Sequence, residues 1–376
     1  MHLILFFTYG VSLKTWAKTG LLEREVVLYK KLLENNVRVT FMTYGDSEDH
    51  KWSKDLNGIK LIPIYERINR PKNKLLCLLQ SFYLPLKFRD ILSNADLFKT
   101  NQIKGGWTAV VAKWLYGKPL LARCGHDYYW FARKDNEHKL KLLAIRLLSL
   151  FTYKYSDQIH VATVEDSTFI QKEFRIPKNK IHIQSNWIDT EDLYVNNNAV
   201  RINNSIIYVG RLTAQKNIPL LFRALKNTPY KLDIIGTGDE ENTLKKEAIK
   251  FSENIRFLGR VPNAQLRTYY CNYPVYVLCS HFEGNPKTLL EAMACGCAVI
   301  GTDVPGIRNI IEHNKNGLLC SNSSESVRDA INLLMKNPKL REKLASQARS
   351  DIVQKNSISQ FIERELNYYN EIISSI

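Results

Sequence analysis

Short apolar runs recur along the whole chain, and most are followed by a polar loop carrying glycine and then by a segment whose apolar residues return every three or four positions. Short runs bounded by turn residues read as buried strands, and the 3.6-residue period between them reads as helices. In the first half this pattern predicts strands in HLILFF at the start, at Val37–Thr43, Ile59–Pro63, Leu97–Thr100, Pro119–Ala122 and Gln158–Ala162. A helix from about Gly20 to Glu34 joins the first two. In the second half it predicts strands at Ile206–Val209, Leu232–Ile235 and Ile255–Leu258, then within YPVYVLCSHFEG and CAVIGTDVPG. Strand–helix–strand repetition of this kind builds right-handed parallel units, so the expected class is α/β with doubly wound sheets. Polar residues gather at the strands' C-terminal ends, the edge where open parallel sheets bind ligands.

At 376 residues the chain exceeds what one core usually holds, and 45% apolar with 24% charged residues is ordinary for a globular protein. The polar, asparagine-rich TEDLYVNNNAVRINNS is the natural linker. Two Rossmann-like domains are therefore expected. The first covers 1–195, and a last helix is expected at about 357–376. The second covers 196–356.

The stretch SHFEGNPKTLLEAMACG carries the most chemistry. Asn285 suits an N-cap, Pro286 the first helical position, and Gly296 a left-handed C-terminal residue. At a helical rise of about 1.5 Å per residue, Glu283 and Glu291 would sit roughly 12 Å apart along one side of a pocket. Glu291 lies among Leu289, Leu290, Ala292, Met293 and Ala294, where a carboxylate needs a protein donor or ligand hydroxyls. A dipole-favoured N-terminal acid plus a structural salt bridge explains the two acids equally well.

Upstream, GRLTAQKN places Arg211 and Lys216 between a strand and a helix N-terminus, an arrangement that suits a diphosphate. By themselves two such cations are more often solvated loop charges. Gly236 and Gly238 end the next strand and would let a ligand approach the backbone, although the third glycine of a dinucleotide fingerprint is missing. In the first half, ARCGHDYYWFARKD puts Arg123, Cys124, Gly125, His126 and Asp127 at a strand end, where His126 could contact a reacting group. Ser12 and Lys14 in the first loop, and Asn101 with Gln102 in TNQIKGGWTA, could border the same cleft.

Taken together, GRL…KN, the GTG turn, FLGRV, EGNPKTLLEAMACG and GTDVPGIRNII resemble the donor-binding half of a family 4 glycosyltransferase with the GT-B fold. The resemblance covers roughly the C-terminal half. It implies two Rossmann-like domains facing each other across a cleft, with the last helix, about 357–376, crossing back to complete the first. It also implies transfer of a hexose-type sugar, with retention, from a nucleotide diphosphate sugar to a glycan or lipid-linked acceptor in cell-surface polysaccharide or glycolipid assembly. By position, Arg211 and Lys216 would hold the diphosphate, Glu291 the ribose hydroxyls, and Arg260 and Val261 the nucleobase. Glu283, with Gly284, Asn285, Pro286, Lys287 and Thr288, would face the transferred sugar, and Gly236 and Gly238 would line the donor site. His126 matches a histidine common in the acceptor half, with Ser12, Lys14, Asn101 and Arg123 on the acceptor side. The first loop departs from the pattern: single glycines, Gly10 and Gly20, stand where many members carry a pair.

The catalytic set is thus His126, Glu283, Lys216 and Arg211. Glu283 could act as a covalent nucleophile, but a front-face reaction, in which the leaving phosphate accepts the incoming proton, needs none. No Asp-x-Asp occurs at a strand end, so no metal and no cofactor beyond the UDP- or GDP-sugar substrate are expected.

Net charge changes the picture of partners. The chain carries +16, with 30 Lys and Arg against 20 Asp and Glu in residues 1–195, or +10, and 23 against 17 in the rest, or +6. RINRPKNKLLCLLQSFYLPLKFRDIL and RKDNEHKLKLLAIRLLSLFTYKY interleave cations with Leu, Phe and Tyr, which suits an anionic membrane surface as well as an ordinary packed helix. No apolar run reaches the roughly 18 residues needed to span a bilayer, and the N-terminal apolar segment lacks a basic n-region and a cleavage site. The expected location is the cytoplasm, or the periphery of the inner face of the membrane. The seven cysteines are scattered and odd in number, so reduced buried thiols are expected. Two further readings remain: a GT-B sugar-nucleotide epimerase or glycoside phosphorylase, and a basic nucleic-acid-binding protein. The second is weakened by acids at the best site and by the lack of a compact aromatic-basic motif, so nucleic acid is not an expected partner.

Overall fold

The computed structural model describes residues 1–375 apart from 126, 135, 136, 197, 198 and 252. His126 therefore lies outside the described residues. The chain divides into two compact units, 1–184 with 362–376, and 185–361. Residues 185–195 thus pack with the second unit, where Ile188 joins the core.

The first unit holds seven parallel strands: β1 (His2–Phe6), β2 (Arg38–Thr43), β3 (Lys60–Pro63), β4 (Leu97–Thr100), β5 (Leu120–Cys124), β6 (Gln158–Val161) and β7 (Ile181–Ile183). Their order is β3-β2-β1-β4-β5-β6-β7. β1 reads as an unbroken apolar run because both its faces are covered: Leu3, Ile4 and Leu5 are fully buried, and Leu3 registers with Val39 on one side and Leu97 on the other. The second unit holds β8 (Ser205–Val209), β9 (Lys231–Ile235), β10 (Ile255–Gly259), β11 (Val275–Leu278), β12 (Ala298–Thr302) and β13 (Leu318–Cys320), in the order β10-β9-β8-β11-β12-β13, again all parallel. In each unit the strand order reverses once, between β1 and β4 in the first and between β8 and β11 in the second. Crevices at such reversals are where doubly wound sheets hold ligands.

Four elements differ from the sequence expectation. Residues 13–19 form a helix, because Ser12 and Thr15 make a reciprocal capping box and the buried Asp49 carboxylate accepts from the Leu13 and Lys14 amides at 3.0 and 2.9 Å. The pattern had placed no element there. β7 and β13 have three residues each, too few for alternation to show. β5 runs two residues beyond Ala122, so Arg123 and Cys124 end the strand itself.

The helix Ile358–Ser374 contributes its residues from 362 onward to the first unit. Lys99 of β4, fully buried, pairs there with the Glu365 carboxylate and donates to the Tyr369 hydroxyl at 2.8 Å. His160 of β6 meets the other Glu365 oxygen at 3.3 Å. All seven cysteines are free thiols, six of them buried. Among the described residues no helix is long and apolar enough to cross a membrane.

Candidate active site

The loop after β8 and the loop after β11 meet at the reversal of the second sheet. The turn Ala214–Lys216 is a short 3-10 helix, and Asn217 takes a left-handed conformation (φ 48°) before the helix Ile218–Leu225 begins. Two hydrogen bonds clamp this turn to the other loop: the His281 amide donates to Gln215 O at 2.9 Å, and Gln215 Nε2 donates to Phe282 O at 2.8 Å. The clamp brings Lys216 Nζ to 2.5 Å from Glu283 Oε1, and Ser280 Oγ donates to the same oxygen at 2.5 Å. Both charged side chains are largely shielded, at 12% and 6% exposure. Arg211 is exposed on the same loop, with no ion-pair partner among the described residues, and its carbonyl accepts from the Tyr208 hydroxyl at 3.0 Å. One exposed cation and one largely shielded ion pair therefore stand at the mouth of this crevice.

Glu291 is buried at 5% exposure, and the Tyr270 hydroxyl donates to its Oε2 at 3.0 Å. The helix that carries it spans Lys287–Ala294 with Pro286 at the N-cap, so residues 283–286 are extended loop and the helical spacing of the two acids holds only over the second half of the interval. Asn285 is accordingly no cap. Its Oδ1 accepts from the Asn186 amide at 3.1 Å and its carbonyl from Asn186 Nδ2 at 2.7 Å, because a proline at the cap leaves the asparagine one residue too early to reach the helix amides. Lys287 Nζ lies over the Trp187 ring at 4.3 Å, and Thr288 shares a 2.9 Å hydrogen bond with the Tyr276 hydroxyl. Burial pushes the Tyr276 and Tyr208 phenols well above their ordinary value, so both remain donors. Gly296 is left-handed (φ 77°), as its place after the helix requires.

Gly236 and Gly238 have a packing reason to be glycine that the sequence does not show. A Cβ on Gly236 would lie 1.8 Å from Gly210 O, and one on Gly238 would lie 2.2 Å from Leu212 O. The neighbouring backbone takes up the space a side chain would need, and the Leu212 amide donates to Thr237 O at 3.0 Å across this contact. Gly306 plays the same part for the 283–284 loop, whose carbonyl oxygens would stand 2.2 and 2.3 Å from its Cβ. Arg260 is exposed and Val261 half-buried in the loop after β10, one strand further out than β9.

In the first unit the reversal joins the loops after β1 and β4. The Tyr9 amide donates to Lys104 O at 2.9 Å and Asn101 Nδ2 to Thr8 Oγ1 at 3.3 Å. Ser12 is committed to its cap, and Lys14 to an ion pair with Glu48. Arg123 is half-buried at the end of β5, its amide donating to Thr100 Oγ1 at 3.0 Å. Beside it, the buried Asp127 accepts from the Trp130 amide at 2.7 Å and the Tyr153 hydroxyl at 2.6 Å, and burial raises its carboxyl above the ordinary range. Gln215, Ser280, Tyr270 and Asn186 were missed by the sequence reading. Ser280 had a local signal, three residues before Glu283; Tyr270 and Asn186 had none, since only the fold brings them to Glu291 and Asn285.

Residues 26–192 match a family described as Glycosyltransferase Family 4, and residues 193–351 match one described as Glycosyl transferases group 1. The chain belongs to glycosyltransferase family 4. An uncharacterized glycosyltransferase of Haemophilus influenzae is 30% identical over 203 residues, 51% of this chain and 56% of that one, so the chain spans about half of that relative's length. A Campylobacter jejuni protein named N,N'-diacetylbacillosaminyl-diphospho-undecaprenol alpha-1,3-N-acetylgalactosaminyltransferase is 23% identical over 92% of this chain and 94% of its own. Among solved structures, Anabaena HepE in complex with UDP matches with a TM-score of 0.79 at 15% identity, covering 99% of this chain and 100% of that one. At that identity the likeness bears on fold, and with the two parallel sheets it gives the GT-B class.

Proposed function

We propose that this chain transfers a hexose-type sugar from a UDP- or GDP-sugar to a glycan or lipid-linked saccharide, with retention of anomeric configuration and without a metal ion, working from the cytoplasm at a membrane surface. The observation that carries this reading is the convergence of Lys216 and Glu283 at the reversal of the second sheet, from strand ends 67 residues apart. Breaking the bond to a diphosphate builds negative charge on the leaving group and positive charge at the anomeric carbon. Lys216 and Arg211 supply the first compensation, which is the largest kind of catalytic contribution to such a step. In this reading Glu283, which accepts from Ser280, faces the transferred sugar, and Glu291, which accepts from Tyr270, receives the ribose hydroxyls. No carboxylate is required as a nucleophile if the departing phosphate takes the proton of the attacking hydroxyl. Support for the donor and acceptor classes comes from relatives: HepE was crystallised with UDP, and the Campylobacter protein's name gives a diphospho-undecaprenol acceptor.

The test is incubation of the full chain with labelled UDP- and GDP-sugars, with and without a membrane lipid extract and with and without a chelator. Sugar transferred to lipid with the donor's anomeric configuration, unaffected by chelation, is expected. Absence of nucleotide release from every donor, or an epimerised sugar nucleotide as the sole product, overturns the reading.

A further inference from the structure

Half of the twenty large apolar side chains exposed among the described residues sit on three helices of the first unit: Lys74–Lys87, Gly106–Tyr116 and Lys139–Tyr155. The middle helix packs against both others. Phe82 of the first stacks on Trp107 at 6.1 Å, and Trp114 meets Phe151 and Tyr155 of the third at 5.2 and 4.9 Å. The three outer surfaces therefore adjoin. On the first helix Leu75, Leu79, Tyr83 and Leu86 follow the helical repeat along one stripe, each about half exposed or more, while Ser81 and Leu84 face the core. On the third, Leu140, Leu143 and Leu147 form a second stripe at 72%, 52% and 53% exposure, with Ile145, Ser149 and Thr152 buried on the opposite side.

Ordinary surface helices expose charge where these expose leucine. The charge that is present is of one sign: the three helices carry seven lysines and arginines and no aspartate or glutamate, in a chain with 37 acids. Lys74, Lys87, Lys139 and Lys141 are all exposed, and Lys87 covers the Tyr83 ring at 5.4 Å. Apolar side chains standing clear of the surface, flanked by cations, match an anionic bilayer, whose acyl region takes the leucines and whose phosphates take the lysines. Acids of flanking segments pair with three of the seven cations, Lys113 with Asp157, Lys141 with Glu137 and Arg146 with Glu173. That leaves Lys74, Lys87 and Lys139 among the exposed cations in no ion pair among the described residues. A hydrophobic protein partner would satisfy the leucines but gives no reason for that one-signed remainder.

Topology adds a direction. Each of these helices precedes or follows a parallel strand as a crossover, so it runs antiparallel to the strands and its N-terminal half lies towards the sheet's C-terminal edge. The most exposed residues, Leu75 and Leu140, are at that end, the edge that also carries Asn101 and Arg123.

We infer that this three-helix face docks the protein on an anionic lipid bilayer and presents the acceptor edge of the first sheet to it. The inference rests on the proposed function, which sets the protein at a membrane surface with a lipid-linked acceptor, and deepens it by naming the docking face and the lipid charge. It is tested by co-sedimenting the full chain with vesicles of phosphatidylcholine alone and of phosphatidylcholine with phosphatidylglycerol, at low and raised salt. Partition onto the anionic vesicles is expected to be at least about tenfold stronger than onto the neutral ones and to fall with salt. The double variant Leu79→Glu, Leu143→Glu alters only exposed side chains and should keep its circular dichroism spectrum and its UDP affinity while losing about tenfold or more in partition. Equal partition of variant and parent, or no partition of the parent at low salt, overturns the inference. So does a parent dimer, seen by sedimentation velocity, that the variant dissolves, since the occupant would then be a second copy. A protein that ignores vesicles yet still transfers sugar to a soluble acceptor overturns the docking face and leaves the proposed reaction standing.

Discussion

Lys216 and Glu283 are bonded to each other before any ligand is present, and this fixes what their replacement should do. With 12% exposure the ammonium has few water contacts to lose when a diphosphate arrives, and Glu283 keeps it aimed rather than free to sample solvent. Lys216→Ala should lower turnover by about 10²–10³-fold while nucleotide affinity falls less, because the charge it answers grows as the bond breaks. Initial rates and calorimetric titration of UDP measure the split, and a loss confined to affinity would show that Lys216 only binds. Gly236 makes a separate case. At φ 136° with Gly210 O only 1.8 Å from its would-be Cβ, Gly236→Ala must displace the arginine loop, at a cost of about 1–3 kcal/mol from the backbone conformation alone. Urea denaturation reads that cost directly, and activity should fall with it. At this scale the sequence disclosed the charged residues, since Glu291 in an apolar helix and two cations in one turn are anomalies visible in the text of the chain. It concealed their partners, because Tyr270, Ser280 and Gln215 are ordinary residues until the fold aims them. It did not show the packing reason for Gly236 and Gly238, which depends on a neighbouring loop that no local pattern reveals.

Among the elements, the C-terminal helix is held to the first sheet by a buried ion pair rather than by apolar contact alone. Burial by itself would raise the Glu365 carboxyl, but the adjacent Lys99 charge and the hydrogen bonds to it prevail and hold it well below the usual carboxylate range. Glu365→Gln leaves Lys99 buried without a counter-charge and should cost about 3–5 kcal/mol, measured as a fall in the urea midpoint at constant slope. The helix Val164–Phe174 offers a pH test. Asp166 exchanges hydrogen bonds with Thr163 at its N-terminus, and burial pushes its carboxyl up to about 6, with Asp127 adding to the shift. An unfolded aspartate titrates near 3.9, so the protonated form favours the fold. That contribution is complete below about pH 3.9 and disappears as pH rises through about 6. Asp166→Asn does not titrate, so its melting temperature relative to the parent should rise between about pH 5 and about pH 7.5, and a constant difference would refute the assignment. Most long strands were legible because, covered on both faces, they read as unbroken apolar runs. The helix Leu13–Thr19 was not, since its start depends on Asp49, a residue more than thirty positions away.

For the molecule as a whole, the two sheets were foreseeable from the alternation of strand and helix, whereas their division was not placed where the asparagine-rich segment suggested. Ile188 and Asn186 commit residues 185–195 to the second unit through apolar packing and through the bonds to Asn285, neither of which composition can show. This commitment has a measurable consequence. Both sheets reverse their order once, and both reversals gather polar loops, so topology alone offers two equivalent crevices. Charge breaks the tie. The second crevice holds Arg211, exposed and in no ion pair among the described residues, beside the Lys216–Glu283 pair, while at the first Lys14 is paired with Glu48 and Ser12 caps its own helix. UDP should therefore slow amide hydrogen exchange in residues 210–217 and 281–291, where the loops after β8 and β11 meet and bring their cations together, and leave residues 8–14 and 101–105 at their unliganded rates. Ligand binding stabilises only the state that binds it, so protection should scale with the logarithm of UDP concentration above its Kd and be absent in Lys216→Ala at concentrations that protect the parent. Equal protection of both sets of loops would mean that the nucleotide does not distinguish the two reversals, and the assignment of donor to the second unit would fall with it.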